Sequence, residues 1–242
     1  MTKAIDQVLN DPLPGAPKPM AFSILRIPYF LEPDYKEKEV FIETNRERLV
    51  KKWGGKRGWE NQKHHHNLKG RGLDAGIPYF NLDRKTSNTM ASHRLIQHLG
   101  KKYGLAVSEA VYDLLNVYYF VDGHSLNDKP RLAKVTCELL DELLPKDKAP
   151  SKKEILNFLN GTEGKEQILH ALAALNQLGI SGIPKFIIEG RTVVDGAAQS
   201  ETFVEIFREI EKRGSVHSGP IFNDVLEVSD ETVQKPSHCL TN

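Results

Sequence analysis

The sequence predicts an α/β protein in which a small sheet domain is interrupted by a long helical insertion. Two observations support this fold class: short apolar runs suited to strands lie near both ends of the chain, and helical periodicity fills the segment between them. We place the discontinuous sheet domain at residues 1–34 and 161–213, the insertion at 35–160, and a loosely ordered tail at 214–242. Ile221, Phe222 and Val225 are the residues through which this tail could dock.

The first half of the sheet domain is predicted to contain a helix, an extended linker and a strand. Residues 2–9 carry apolar side chains at helical spacing, whereas four prolines between positions 12 and 19 favour an extended chain. The mostly apolar run from Phe22 to Ile27 is suited to a buried strand, and Pro28 ends its ladder of hydrogen bonds.

The second half of the sheet domain is the most informative segment. A helix over residues 168–178 leads to the corner Ser181-Gly182-Ile183-Pro184. Two runs of four residues rich in β-branched side chains, 185–188 and 191–194, flank the turn Glu189-Gly190. This pattern predicts a β-hairpin, which a final amphipathic helix follows.

The insertion is predicted to hold four or five helices separated by Gly, Pro and Asn. The clearest begins after Asn88, whose side chain can cap a helix, and stops at Gly100. A second spans Ser108 to Val121, and a third carries inward-facing residues from Leu132 to Leu143.

Composition excludes several classes of function. The hydrophobic share is 39% and the charged share 27%, and 33 basic residues face 32 acidic ones, so no charge excess points to nucleic acid or an anionic membrane. No run approaches the roughly 18 apolar residues that a membrane helix needs. The first residues lack the apolar core of a secretion signal, so we expect a cytoplasmic protein.

Several segments resemble the DsbA-like thioredoxin family. Residues 178–188 resemble the segment in which a cis-proline faces the redox centre, and residues 194–198 are similar to the strand-to-helix corner that follows. Residues 81–84 and 88–96 resemble the Asn-Thr…Ala-His-Arg-Leu stretch of the FrnE-like branch, although Ser92 stands where the family usually has Ala. That branch neighbours 2-hydroxychromene-2-carboxylate isomerases and kappa-class glutathione transferases.

The resemblance implies a thioredoxin-like fold of the DsbA type and a thiol-disulfide oxidoreductase or isomerase activity. It implies a thiol- or disulfide-bearing peptide, or glutathione as a co-substrate, and no other cofactor, and it leaves a homodimer open. The substrate-binding residues that it implies are Gly182, Ile183, Pro184, Asn88 and His93.

The resemblance also shows what the sequence lacks. The family places a cysteine, or a serine in the isomerase and transferase branches, between a first strand and the first helix, where the helix N-terminus lowers a thiol pKa. In this resemblance, Met1 corresponds to a position within the family's first helix, and no Cys-x-x-Cys occurs in the sequence. The absent strand would leave the strand at residues 22–27 and the hairpin with unpaired edges. We therefore expect a natural protein that is longer at its N-terminus or whose start was mis-assigned.

Two other functions stay open beside an oxidoreductase that is inactive as written. One is a glutathione-dependent isomerase or transferase, and the other is a non-catalytic peptide-binding module. The two cysteines, Cys137 and Cys239, are 102 positions apart (239 − 137). Helical spacing predicts Cys137 to be a half-buried structural thiol, and Cys239 lies in the tail.

Two basic stretches in the insertion are interpreted as surface features. Consecutive side chains on a helix point about 100° apart, so His64, His65 and His66 cannot all reach one metal ion and form a solvated patch. The stretch from Lys51 to Trp59 predicts a junction between a helix and a loop, with its tryptophans packed. No metal-binding residue is predicted.

Overall fold

A computed structural model describes residues 1–38, 42–74, 76–77 and 79–238. The chain forms two compact units, which are taken separately below. The first comprises Met1–Tyr29, Ile96–Glu109 and Glu163–Asn242, and the second comprises Phe30–Leu95 and Ala110–Thr162. Two segments differ from the boundaries expected from sequence: Ile96–Glu109 and the tail both belong to the first unit.

Eleven α-helices and two strands are found in the described ranges. The helices are α1 (Thr2–Asn10), α2 (Asn45–Lys52), α3 (Lys56–His66), α4 (Leu68–Asp74), α5 (Met90–Tyr103), α6 (Leu105–Asn116), α7 (Lys129–Leu143), α8 (Lys152–Asn160), α9 (Lys165–Gln177), α10 (Ser200–Arg213) and α11 (Asp230–Gln234). A π-helical turn, Val117–Val121, continues α6. The strands are β1 (Lys185–Ile188) and β2 (Thr192–Asp195).

The predicted hairpin is confirmed. Strands β1 and β2 are antiparallel, with Phe186 opposite Val194 and Ile187 opposite Val193. Glu189 and Gly190 have φ of +46° and +71°, the positive values that a tight hairpin turn requires at both central positions. Successive side chains of β1 therefore point to opposite faces of the sheet.

Helices α1 and α10 cover one face of the hairpin. Their buried side chains recur at the spacing of helical turns and meet Val194 of β2 in what we call the Phe203 cluster, formed by Ala4, Ile5, Val8, Val194, Phe203 and Phe207. Phe186 and Ile188 of β1 pack against this cluster. The amphipathic helices predicted at both ends of the sheet domain thus share one core.

The tail and α9 contribute to a second core, which Ile187 of β1 contacts. This Leu226 cluster consists of Leu105, Ala171, Leu175, Ile180, Phe222, Leu226, Val228 and Val233. The expectation of a loosely ordered tail is therefore wrong for the tail residues described, through His238. Four apolar side chains spaced irregularly after Pro220 are buried, and such spacing gives no helical or strand period to recognise in sequence.

The segment from residue 22 to residue 27 is extended but is not the strand predicted. Its side chains alternate: Phe22 and Ile24 pack against the Phe203 cluster, whereas Leu25 and Ile27 pack against the Leu226 cluster. The backbone of this segment pairs through an isolated antiparallel bridge between Phe22 and His238. The prediction of a buried strand is therefore wrong in the described structure: the residues are half-buried or exposed, and the segment has no neighbour with which to form a ladder.

In the second unit, helices α7 and α8 pack together around buried leucines, including Leu132, Leu140 and Leu159. Ser151 and Glu154 form a capping box at the start of α8. Helix α5 does not stop at Gly100 as predicted but continues to Tyr103. A Cβ at Gly100 would lie 3.2 Å from the Ser108 hydroxyl, so this glycine permits close packing rather than ending the helix.

Candidate functional site

An open hollow of about 300 Å³ lies at the loop that leads into β1. It is lined by residues of the loop from Gly179 to Lys185, together with Asp195 and Gly196. Two contacts position the loop. After the last residue of α9, Gly179 has φ +67°, and the Ile180 N–H donates to the Leu175 carbonyl at 2.9 Å, which closes the end of the helix. The Tyr29 hydroxyl donates to the Ser181 carbonyl at 2.7 Å.

Gly182, Ile183 and Pro184 lie together on this loop and are all exposed. The Ile183-Pro184 peptide bond is cis, as the family resemblance implies. The Pro184 carbonyl accepts from the Gly196 N–H at 2.9 Å, which joins the loop to the end of β2. Within the described part of the chain, the backbone groups of Gly182 and Ile183 make no hydrogen bond. They are therefore available to a ligand.

The side chains around the hollow are mostly small or apolar. Ile183 is 49% exposed, a large apolar side chain presented to solvent. At the rim, the Lys185 ammonium lies 2.6 Å from the Asp195 carboxylate across the hairpin. The hollow thus combines free main-chain groups with an apolar contact and a paired charge, a composition suited to an extended peptide.

Asn88 and His93, the other two candidate residues, belong to the second unit. The Asn88 side chain accepts from the Met90 N–H at 2.8 Å and donates to the Tyr35 carbonyl at 2.5 Å, so it supports the start of α5 as predicted. The His93 ring is half-buried, with its centroid 5.2 Å from that of Phe30. These contacts are structural, and a substrate role for either residue rests on resemblance.

Arg94 has a role that the sequence did not reveal. A charged residue on a helix usually faces solvent, but Arg94 is buried and donates to the carbonyls of Phe158 and Leu159, at 2.9 Å and 3.4 Å. These carbonyls lie at the end of α8, where a cation is favourable to the helix dipole. Helical spacing could not indicate this contact because the partners lie 64 and 65 positions away.

Cys137 has the environment of a structural thiol. It is half-buried, and its Sγ donates to the Pro150 carbonyl at 3.6 Å and lies 3.8 Å from the Asp141 carboxylate. Burial raises the pKa of the Cys137 thiol, and the negative charge of Asp141 raises it further. A reactive cysteine has a lowered pKa, so Cys137 is unsuited to nucleophilic attack. Cys239 lies outside the described residues.

The two basic stretches lie on α2, α3 and the turn between them. Trp59 is packed, with 5% of its surface exposed, whereas Trp53 is 36% exposed, so the expectation of packed tryptophans is confirmed for Trp59 alone. His64, His65 and His66 are exposed at the end of α3.

Over the ranges described, no group of three acidic, histidine or cysteine residues could hold a metal ion, and no helix is long and apolar enough to cross a membrane.

Comparison with known proteins identifies the fold. No protein-family model and no curated protein matches the chain. Among solved structures, the chain is similar to a probable DsbA oxidoreductase from Streptomyces coelicolor, with 25% sequence identity and a TM-score of 0.58. The match covers 74% of this chain and 71% of that one. The protein therefore has the DsbA-like thioredoxin fold with a helical insertion that the sequence predicted.

Proposed function

We propose that this chain is a DsbA-like thiol-disulfide oxidoreductase-type protein of the FrnE-like branch. Its loop at residues 181–184 binds an extended thiol- or disulfide-bearing peptide, and residues 1–242 do not catalyse dithiol exchange by themselves. The observation that carries the proposal is the exposed main chain of Gly182 and Ile183 beside the hollow. The fold shared with a probable DsbA oxidoreductase supports the same class of substrate.

Main-chain pairing is the expected mode of binding. An extended peptide can accept a hydrogen bond from the Ile183 N–H and donate one to its carbonyl, as a strand does when it adds to an open edge. The Ile183 side chain would supply apolar contact. Because these contacts are made by the backbone, they would tolerate peptides of different sequence.

Dithiol exchange needs a second element that these 242 residues lack. A thiolate attacks one sulfur of the substrate disulfide, the other sulfur leaves as a thiolate, and a neighbouring thiol then resolves the mixed disulfide. Cys137 is a poor attacking group because its pKa is raised by burial and by Asp141. The other cysteine of the sequence, Cys239, is 102 positions away (239 − 137) and lies outside the described residues.

Binding is tested with a fluorescein-labelled disulfide-bonded peptide by anisotropy. We expect saturable binding that Ile183→Asp weakens about tenfold, since the variant adds a desolvated charge at the contact. Val216→Asp is the matched control, because Val216 is an apolar residue of the same unit with 65% exposure. Equal weakening by both variants, or by neither, contradicts the assignment of the loop as the site.

Turnover is tested separately by insulin reduction with dithiothreitol or glutathione as reductant. We expect the 242-residue chain to match a no-protein control. Activity that Cys137→Ser abolishes would contradict the proposal.

The environment of Cys137 favours a second candidate, a non-catalytic peptide-binding module, for which binding without turnover is also expected. Binding of glutathione in place of the peptide would instead favour the isomerase or transferase alternative.

A further inference from the structure

The charged residues of the chain are unevenly distributed. Residues 46–71, which lie on α2, α3 and α4, include nine basic and two acidic residues, a net charge of +7 (9 − 2). The other 216 residues (242 − 26) include 24 basic and 30 acidic ones, a net charge of −6 (24 − 30). The net charge of +1 is therefore the sum of a strongly basic segment in the second unit and an acidic remainder.

Ion pairs within the described residues engage only four of these nine cations. The pairs are Arg46 with Asp83, Arg48 with Glu32, Lys51 with Glu43, and Lys63 with Glu60. The other five cations are exposed and form no ion pair with any described residue: Lys52, Lys56, Arg57, Lys69 and Arg71. We call these five the cationic row. Their mutual repulsion would be relieved by an anionic partner.

The first three members of the row surround the start of α3. Lys52 ends α2, and the turn formed by residues 53–55 leads to Lys56 and Arg57, the first two residues of α3. The first turn of α3 has no acidic residue, and its N-cap, Gly55, has no side chain that could accept a hydrogen bond. The positive end of the helix dipole therefore adds to the potential of these cations.

A set of exposed apolar side chains follows the row along the chain. Leu73, Ile77, Tyr79 and Phe80 each expose 45–56% of their surface, and we call them the apolar edge. Two contacts hold this edge in place. The Ile77 N–H donates to the Gly72 carbonyl at 2.7 Å, and the Phe80 ring is stacked on that of Phe120 with the centroids 5.2 Å apart.

The cationic row and the apolar edge meet on α4. Lys69 and Leu73 are four residues apart on this helix and therefore share one side of it. Helix α4 begins one residue after α3, which has eleven residues and is about 16 Å long. Cations thus flank both ends of α3, and apolar side chains adjoin only those at its C-terminal end.

We propose that the cationic row and the apolar edge bind an acidic segment of a different polypeptide that also carries apolar side chains. Carboxylates of this segment would pair with the cations at the two ends of α3, and its apolar side chains would cover the apolar edge. This surface lies in the second unit and does not depend on the proposed function.

Charge complementarity favours a short acidic segment over a larger polyanion. A nucleic acid or an anionic bilayer presents charge over lengths well beyond the screening length of about 8 Å. It therefore meets the charge of the whole chain, which is only +1, whereas a short segment meets the local +7. The aliphatic side chains of Leu73 and Ile77 also match the apolar side chains of a polypeptide and have no counterpart in the phosphates of a nucleic acid.

Binding is tested on the full chain with the fluorescein-labelled peptide Glu-Asp-Glu-Gly-Ser-Glu-Asp-Leu-Phe-Asp-Ile-Leu by anisotropy. One altered peptide has Gln and Asn in place of Glu and Asp, and another has Ser in place of Leu, Phe and Ile. We expect the parent peptide to bind saturably and each altered peptide to bind about tenfold more weakly. Absence of saturable binding, or binding of either altered peptide as tight as that of the parent, would overturn the proposal.

Charge reversal at the start of α3 locates the site. The double variant Lys56→Glu, Arg57→Glu should weaken binding of the parent peptide at least about tenfold. The matched control is Lys152→Glu, Lys153→Glu, because these exposed lysines are the first two residues of α8 in the same unit. The control should leave binding within about twofold. Equal weakening by both double variants would mean attraction to net charge alone and would overturn the proposal.

The apolar edge is tested by Ile77→Ser, which should weaken binding about tenfold. Leu143→Ser is its control, because Leu143 is an apolar residue of the same unit with 46% exposure. Equal effects of the two variants would remove the apolar edge from the site and overturn the proposal. If the double variant at the start of α3 does not fold, Lys69→Glu with Arg71→Glu makes the same test at the other end of the row.

Other occupants are distinguished by the same variants. Single-stranded oligothymidylate and vesicles of phosphatidylserine and phosphatidylcholine should bind at least about tenfold more weakly than the peptide. Tighter binding of either, lost on reversal of Lys56 and Arg57, would assign the surface to nucleic acid or to a membrane and overturn the proposal. A concentration-dependent dimer in sedimentation, dissociated by that reversal and by the peptide, would identify a second copy as the occupant and overturn the assignment to a different polypeptide.

Discussion

The thiol of Cys137 shows how one residue can be understood in part from sequence. Its position between Val135 and Leu139 on a helix predicted partial burial, and the structure confirms that. The sequence did not indicate its hydrogen bond to the Pro150 carbonyl, since that partner lies beyond the helix. Helical periodicity predicts which side of a helix is buried but not what it meets, as the partners of Arg94 also show.

The raised pKa of Cys137 predicts low reactivity. In a Cys239→Ser background, we expect iodoacetamide to modify Cys137 in the folded protein several-fold more slowly than in the urea-unfolded protein at pH 8, because less thiolate is present. Asp141→Asn should accelerate the reaction, since it removes a negative charge beside the sulfur. Glu142→Gln is the control and should have no effect. Equal rates for the folded and unfolded protein would be inconsistent with this environment.

His98 is expected to make stability depend on pH. Its Nδ1 lies 3.2 Å from the Glu163 carboxylate, but burial disfavours the charged imidazole and lowers the pKa of His98 below its usual value near 6.5. The unfolded chain therefore takes up a proton first as pH falls. The contribution of His98 to the free energy of unfolding is therefore fully present above about pH 6.5 and decreases as the pH falls below that value. In urea unfolding, the free energy of unfolding should fall less between pH 7.5 and pH 5 for His98→Gln than for the protein with His98.

At the scale of elements, the hairpin turn joins the sheet to the tail. The Glu189 side chain is 5% exposed, and its carboxylate accepts hydrogen bonds from Arg213 and, at 3.0 Å, from the His217 N–H. The Ser218 hydroxyl donates to the Glu189 carbonyl at 2.8 Å. A Glu-Gly pair between two β-branched runs predicted the turn, but the sequence could not reveal that the turn also holds the tail.

Glycine substitutions separate backbone strain from steric contact at this turn. Gly190→Ala should cost about 2–4 kcal/mol, because φ is +71° and the new Cβ would lie 2.5 Å from the Gly219 carbonyl oxygen. Gly196→Ala, with φ +75° and no atom within 4 Å, should cost about 1 kcal/mol. Gly182→Ala has neither problem and should change stability by less than about 0.5 kcal/mol. The measurement is urea unfolding. Equal losses of unfolding free energy for Gly190→Ala and Gly196→Ala would contradict the close contact between residue 190 and the Gly219 carbonyl.

At the scale of the whole molecule, local patterns predicted the class of fold but not the completeness of the sheet. The hairpin, the corner before it and the amphipathic helices all have short-range signatures in the sequence. The pairing of residues 22–27 does not, because a strand ladder depends on a distant neighbour. Both α5 and α6 contribute one part to each compact unit, so the division between the units falls within helices, where the sequence has no turn or linker to mark it.

The tail is expected to be necessary for folding of the first unit. Leu226 is fully buried in the Leu226 cluster, so Leu226→Ala should lower the free energy of unfolding by about 2–5 kcal/mol. Val216→Ala, at a position that is 65% exposed, should be neutral within about 0.5 kcal/mol. The measurement is urea unfolding followed by circular dichroism. A neutral Leu226→Ala would mean that the tail does not belong to this core.

The positions of Trp53 and Trp59 determine what optical measurements will report. Both tryptophans of the sequence lie on or beside α2 and α3, in the second unit, and the first unit has none. Intrinsic tryptophan emission is therefore a probe of one unit, whereas far-ultraviolet ellipticity records the helices of both. Coincident transitions by the two probes would show that the units unfold as one cooperative system, and separated transitions would assign an unfolding midpoint to each.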